Sequence, residues 1–218
     1  MRRAAPIIAA IWLVILAGIG AIALSPPAAA TETDAARFVG ELANRAIEQL
    51  TANGITDAER ESRMQKILNE GFDLPAIARF VLGVYWPRAT AQQQEEFTRL
   101  YERLVVRNYA ALFRQYSGES LTVGDVRKIE DSDSYIVLSQ IDQPGGKPAI
   151  PVEWRVRQSG PVDPRIIDVK VEGVSMPVTH RNEYASVIRR QGGRIEDLLA
   201  ALRTRLGNAS AGQASQPR

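Results

Sequence analysis

The chain has no cysteine and only one histidine among its 218 residues. The first absence excludes a disulfide framework, cysteine-ligated metal and thiol chemistry, so an exported chain of this kind must be held together by a buried core. The second confines any Ser-His-Asp or histidine-metal scheme to His180. That residue stands two positions before Asn182 at the start of a helical segment, where a surface or capping histidine is the ordinary outcome, and no catalytic or metal role is assigned. A charge excess is missing too. Once Arg2 and Arg3 of the amino-terminal leader are set aside, 25 basic residues face 25 acidic ones. The nearest thing to a basic run, Arg189-Arg190 with Arg194, is too short to track a phosphate backbone, so no nucleic-acid partner is expected. Gly145-Gly146-Lys147-Pro148 lacks the Ser/Thr, the spacing and the helix of a phosphate-binding loop.

What is present begins with an address. Arg2 and Arg3 precede an apolar run from Ile7 to Leu24, and Ser25-Pro26-Pro27 leads into Ala28-Ala29-Ala30, the small-residue pattern of a signal-peptide cleavage site. Export with cleavage after Ala30 is expected. The run is long enough that an uncleaved amino-terminal anchor is the alternative. Residues 31–206 are long enough for a single domain with its own core, and the Ala/Ser/Gln/Gly-rich tail, 207–218, is expected to be disordered.

Within the domain the period changes once. Thr33-Asp34 is expected to cap a first helix through Leu50, with Phe38, Leu42, Ala46 and Leu50 on one face; Thr56-x-x-Glu59 opens a second, ended by Gly71. Asp73 and Pro75 start a third that stops at Gly83. Thr90-x-x-Gln93 opens the longest, whose apolar positions Phe97, Leu100, Leu104, Val105, Tyr109, Leu112, Phe113 and Tyr116 keep the helical period. After Gly118 the period is two: 121–129, 135–141, a run through Ile150, Val152, Trp154 and Val156, and Ile167, Val169 and Val171 read as four antiparallel strands. Helices from Pro177 to Arg190 and from Ile195 to Leu206 follow. The class is α+β, helices packed on a curved antiparallel sheet.

Apolar side chains from both layers should meet in the middle. Tyr109, Leu112 and Phe113 of the long helix and Val137, Trp154, Val156, Val169 and Val171 of the strands either fill a core or line a cavity, and from the residues alone both readings stand. Asp168, Lys170 and Glu172 alternate with Ile167, Val169 and Val171, so the strand period turns Asp168 away from the apolar face and against a role as general base.

The segment DVKVEGVSMPVTHRNEYASVI, Asp168 to Ile188, resembles the corresponding stretch of the MlaC family, the periplasmic "toluene tolerance" lipid carriers. FDLPAIARFVLGVYW, Phe72 to Trp86, and Gln94, Phe97 and Tyr109 are similar to that family as well, and the resemblance runs from about Phe72 to Leu202. One departure is Pro164-Arg165-Ile166-Ile167 before Asp168, where the family commonly carries Trp-Lys-Val/Ile. The resemblance implies a nuclear-transport-factor-two-like cone with an apolar cavity lined by the eight residues named above. It also implies a periplasmic shuttle that is not an enzyme, with bound phospholipid as cargo and no cofactor. The partners it implies are an inner-membrane MlaD-like ring of an ABC transporter and an outer-membrane MlaA-like lipoprotein. Ser175, Met176 and Arg181 would then lie at the cavity mouth or docking surface, with Arg181 near a lipid phosphate. Alternatives are a small-molecule enzyme in the same cone, a membrane-tethered adaptor, and a hopanoid in place of phospholipid.

Overall fold

The computed structural model describes residues 28–158 and 164–214. The leader up to Pro27, on which the export signal rests, lies outside the described residues. Among the described residues six α-helices form: α1 Ala28–Leu50, α2 Asp57–Gly71, α3 Leu74–Leu82, α4 Ala91–Leu112, α5 Met176–Arg190 and α6 Ile195–Ala214. Five strands, β1 Ser120–Lys128, β2 Ser134–Asp142, β3 Ile150–Gln158, β4 Pro164–Val171 and β5 Val174–Ser175, form one antiparallel sheet in the order β1-β2-β3-β4-β5. The class is the α+β expected.

Local chemistry sets most boundaries. Thr90 accepts from the Gln93 amide at 3.2 Å while the Gln93 side chain accepts from the Thr90 amide at 3.0 Å, a reciprocal cap that satisfies two otherwise orphaned donors. Thr56 caps α2 by accepting from Glu59, Asp73 caps α3 by accepting from Ala76, and Ser175 caps α5 by accepting from Val178. Two boundaries differ from those expected. α1 starts at Ala28 and runs through Thr33 and Asp34, since alanine is the strongest helix former and needs no cap at that point to continue. α6 passes Leu206 and runs to Ala214, so 207–214, expected as disordered tail, is helical; its three alanines favour the helix, against two glycines, Gly207 and Gly212, that cost about 1 kcal/mol each.

The sheet is a meander, and bulges reset its alternation twice. Between Val123 and Val126 the pairing of β1 with β2 slips, which brings Val126 as well as Leu121 and Val123 onto the core. In β4, Val156 of β3 pairs with Ile166 while the preceding Arg155 pairs with Asp168, leaving Ile167 as the extra residue. A bulge re-aims side chains on the bulged strand. Ile166 is therefore fully buried, sharing the inner face with Val169 and Val171, whereas Ile167 faces an outer groove. The expectation that Ile167, Val169 and Val171 share one face is corrected by that single inserted residue.

Helix α4 is the central element, packed on α2, α3 and α6, while α1 lies over β1 and β2 and α3 contacts α5. At its heart Phe97, fully buried, stacks on Tyr101 at 6.0 Å between ring centroids and meets the edge of Tyr184 of α5 at the same distance. Such pairs add about 0.5–1.5 kcal/mol to the area they bury. Among the described residues no helix is long and apolar enough to cross a membrane.

Candidate functional site

Between α1, α2 and α4 on one side and β3 and β4 on the other lies a cavity of about 210 Å³. Its α4 wall is the stripe Tyr101, Val105 and Tyr109, four residues apart and so one turn above another on one face, continued by Phe113 in the 3-10 turn that follows the helix. Its sheet wall is Trp154, Val169 and Val171. The Trp154 indole N–H donates to Ser139 Oγ at 2.8 Å, and that hydroxyl donates to the Val152 carbonyl at 3.1 Å. The ring's one polar atom is thereby satisfied, and its faces are left for apolar contact.

The structure divides the expected lining. Tyr109, Phe113, Trp154, Val169 and Val171 line the cavity, and Met176 joins them from the first turn of α5. Val137 and Val156 do not. Both are completely buried within the sheet's inner face, Val137 between Val126 and Trp154 and Val156 between Tyr135 and Ile166, and they belong to the solid core. Leu112 is 61 % exposed. It shares a helical stripe with Leu100 and Leu104, which lie outside the cavity lining, and the helix ends there.

Sequence reasoning missed the opposite wall. Val39, Leu42, Ala43 and Ala46 of α1 and Met64, Ile67 and Leu68 of α2 supply it. The apolar face read on α1, with Leu42 and Ala46, was the available signal, but periodicity cannot tell a cavity wall from a core.

His180 was also misplaced. It is half-buried, lines the cavity, and sits 3.1 Å from the Tyr101 hydroxyl through Nδ1. Its ring stacks on Tyr184, with centroids 6.2 Å apart. The signal was Pro177, His180, Tyr184 and Ile188, spaced three to four apart, which places His180 on the inward stripe of α5. Burial lowers the imidazole pKa below its ordinary 6.5; nearby Glu183 opposes this and Arg205 adds to it. Burial likewise raises the phenols of Tyr101 and Tyr109, and pushes Tyr184 up to about 12. Both partners stay uncharged at neutral pH, and the imidazole tautomer sets which of the two donates.

A pH effect follows. Because the folded chain holds His180 less basic than the unfolded chain does, unfolding takes up a proton as the pH falls below about 6.5. Native stability associated with this residue is complete above that pH and declines below it until the lowered native pKa is passed. Denaturant titrations of wild type and His180→Asn between pH 7.5 and 5 are expected to show a steeper loss in wild type. Parallel curves would remove His180 as the source.

Asp168 is not turned fully away, as the strand period had suggested. The bulge at Ile167 places it on the rim, lining both the cavity and an outer groove, and its Oδ1 accepts from the Ser175 hydroxyl at 2.8 Å. Ser175 thus acts as α5 cap and as anchor of the rim. Arg181 stands elsewhere. Its guanidinium lies over the Phe80 ring at 5.1 Å and against Gly83, in a second groove that does not share the cavity lining. Gly83 has φ +56°, and a Cβ there would come within 2.8 Å of Arg181 Nε, so glycine suits both the backbone and the approach.

Comparison with known proteins meets this geometry. A protein of Haemophilus influenzae described as the intermembrane phospholipid transport system binding protein MlaC is 23% identical over 113 residues, 51% of this chain and 53% of that one. The chain thus matches about half the length of that curated relative. The solved structure of a phospholipid-binding protein from Ralstonia solanacearum, in complex with a phospholipid, superposes with a TM-score of 0.71 at 19% identity, covering 81% of this chain and 98% of that one. The two share a fold. The family model described as MlaC protein matches residues 40–204, from the middle of the α1 cavity wall to α6. With the cavity's walls almost wholly inside that span, the chain belongs to the MlaC family.

Proposed function

We propose that this chain is a periplasmic lipid carrier that holds phospholipid acyl chains in the cavity between α1, α2, α4 and the sheet. The observation that carries the reading is the lining, apolar apart from the tyrosine hydroxyls, His180 and Asp168. The Haemophilus relative's name and the Ralstonia neighbour's bound phospholipid supply the class of cargo.

The energetics require a closed route. Two acyl chains carry on the order of 30 methylenes, and at about 0.8 kcal/mol each their exposure to water is prohibitive. Passage from a bilayer to an apolar pocket exchanges one oily environment for another, with little net change. Transfer therefore takes place in docked complexes, with an inner-membrane MlaD-like ring of an ABC transporter and an outer-membrane MlaA-like lipoprotein as the proposed partners. The carrier itself performs no chemistry in this reading.

The volume adds a mechanical demand. About 210 Å³ lies below the roughly 300–1,000 Å³ of sites that engulf drug-sized ligands, so seating two chains moves a wall outward. The hydrogen-bonded sheet is the stiff side, and α1 with α2 is the side that yields. Met64 and Met176, unbranched and adaptable, let the lining follow chains of different length.

Delipidated protein incubated with phospholipid vesicles and re-isolated is expected to carry lipid that extraction recovers chemically unchanged. Lipid recovered as a converted product would favour an enzyme in the same fold, working through Asp168 and His180 at the cavity wall. No uptake would count against the carrier.

A further inference from the structure

Outside the rim lies a groove of about 180 Å³ that shares Ile77, Asp168 and Pro177 with the cavity. Those three residues form the partition between an apolar interior and a polar exterior. On the outer side stand Arg155 and Arg157 of β3, two residues apart and so on one face of the strand, opposite to Trp154 and Val156. Arg157 is ion-paired with Asp73, the residue that caps α3, and its guanidinium is fixed in place. Arg155 is exposed and makes no ion pair among the described residues. The groove's one acid, Asp168, sits across the ladder from Arg155, with one oxygen taken by the Ser175 hydroxyl. Phe80 and Ala76 border this groove and the neighbouring one that holds Arg79 and Arg181, so four guanidinium groups stand around the partition against the carboxylates of Asp168 and Asp73.

We propose that Arg155 is the headgroup-recognition residue of the carrier, binding the phosphodiester of a lipid whose chains lie in the cavity. The proposal rests on the carrier reading. The planar guanidinium fork matches two phosphate oxygens. The β4 bulge, which places Ile167 and Asp168 on the outer rim, gives the glycerol backbone a threshold over which chains and headgroup part. Arg181, which the sequence had suggested for this role, lies in a groove that shares no residue with the cavity.

The test uses delipidated full-length mature protein, with vesicles carrying phosphatidylglycerol in one arm and diacylglycerol of the same chains in the other. Arg155→Gln is expected to lower phosphatidylglycerol uptake about tenfold, the effect of losing a charge-assisted pair, and to leave diacylglycerol uptake unchanged. Arg155→Lys should recover part of the loss, and Arg181→Gln should show none of it. Equal loss in both arms, no loss in either, or the same selective loss with Arg181→Gln would overturn the assignment. Wild-type protein that takes up neither ligand would overturn the carrier reading itself.

Discussion

Ala46→Trp is expected to reduce bound lipid at least tenfold while the protein stays folded. Ala46 is part-buried in the α1 wall and faces the cavity with Ala43. An indole there would occupy most of the 210 Å³ available, and it displaces cargo without removing any existing contact. Overpacking a solid core costs about 1–3 kcal/mol, whereas filling a cavity recovers apolar contact, so the net change in unfolding free energy should stay below about 2 kcal/mol. Lipid per mole of protein and a denaturant midpoint, taken on one preparation, check both halves. Undiminished lipid with an intact fold would show that cargo sits elsewhere.

A pair of substitutions in the sheet should separate cavity from core. Val156→Gln places an amide between Tyr135 and Ile166, at a position with no exposed surface, and burial of an unpartnered amide costs at least about 2 kcal/mol. Against a typical total of about 5–15 kcal/mol, that is a large loss. Val169→Gln, on the cavity face of β4 and only part-buried, lets the amide reach into open space. Its expected effect is a several-fold fall in lipid occupancy with stability lowered by less than about 1.5 kcal/mol. Similar stability losses for the two would mean that Val169 belongs to the solid core as well.

These two valines also mark how far the sequence could be read. Capping at Thr56, Asp73 and Thr90 and the switch of period after Gly118 are local signals, written in residues a few positions apart, and they located the helices and four strands. The face of each β4 residue is not local. The run Ile166-Ile167-Asp168-Val169 alternates acceptably in either phase, and only pairing with β3 shows that Ile167 is the inserted residue. Ile166 then takes the buried position beside Val156, in the stretch that departs from the family's usual aromatic pattern. Trp154, Val169 and Tyr109 were legible as inward-facing, yet nothing in an apolar side chain says whether the space before it is filled. The α1 and α2 wall depends on how helices far apart in sequence pack over the sheet. His180 is legible on the stripe with Tyr184 and Ile188: its neighbours in sequence point to a surface cap, and its helical face points inward to the cavity.

Native mass spectrometry of the mature protein, purified gently from a bacterial periplasm, tests the central claim most directly. The carrier predicts a population heavier than the polypeptide by the mass of a phospholipid, collapsing to the bare chain after organic extraction, because an apolar cavity favours acyl chains over water. A single species at the polypeptide mass, unchanged by extraction and unchanged after incubation with phospholipid vesicles, would contradict it.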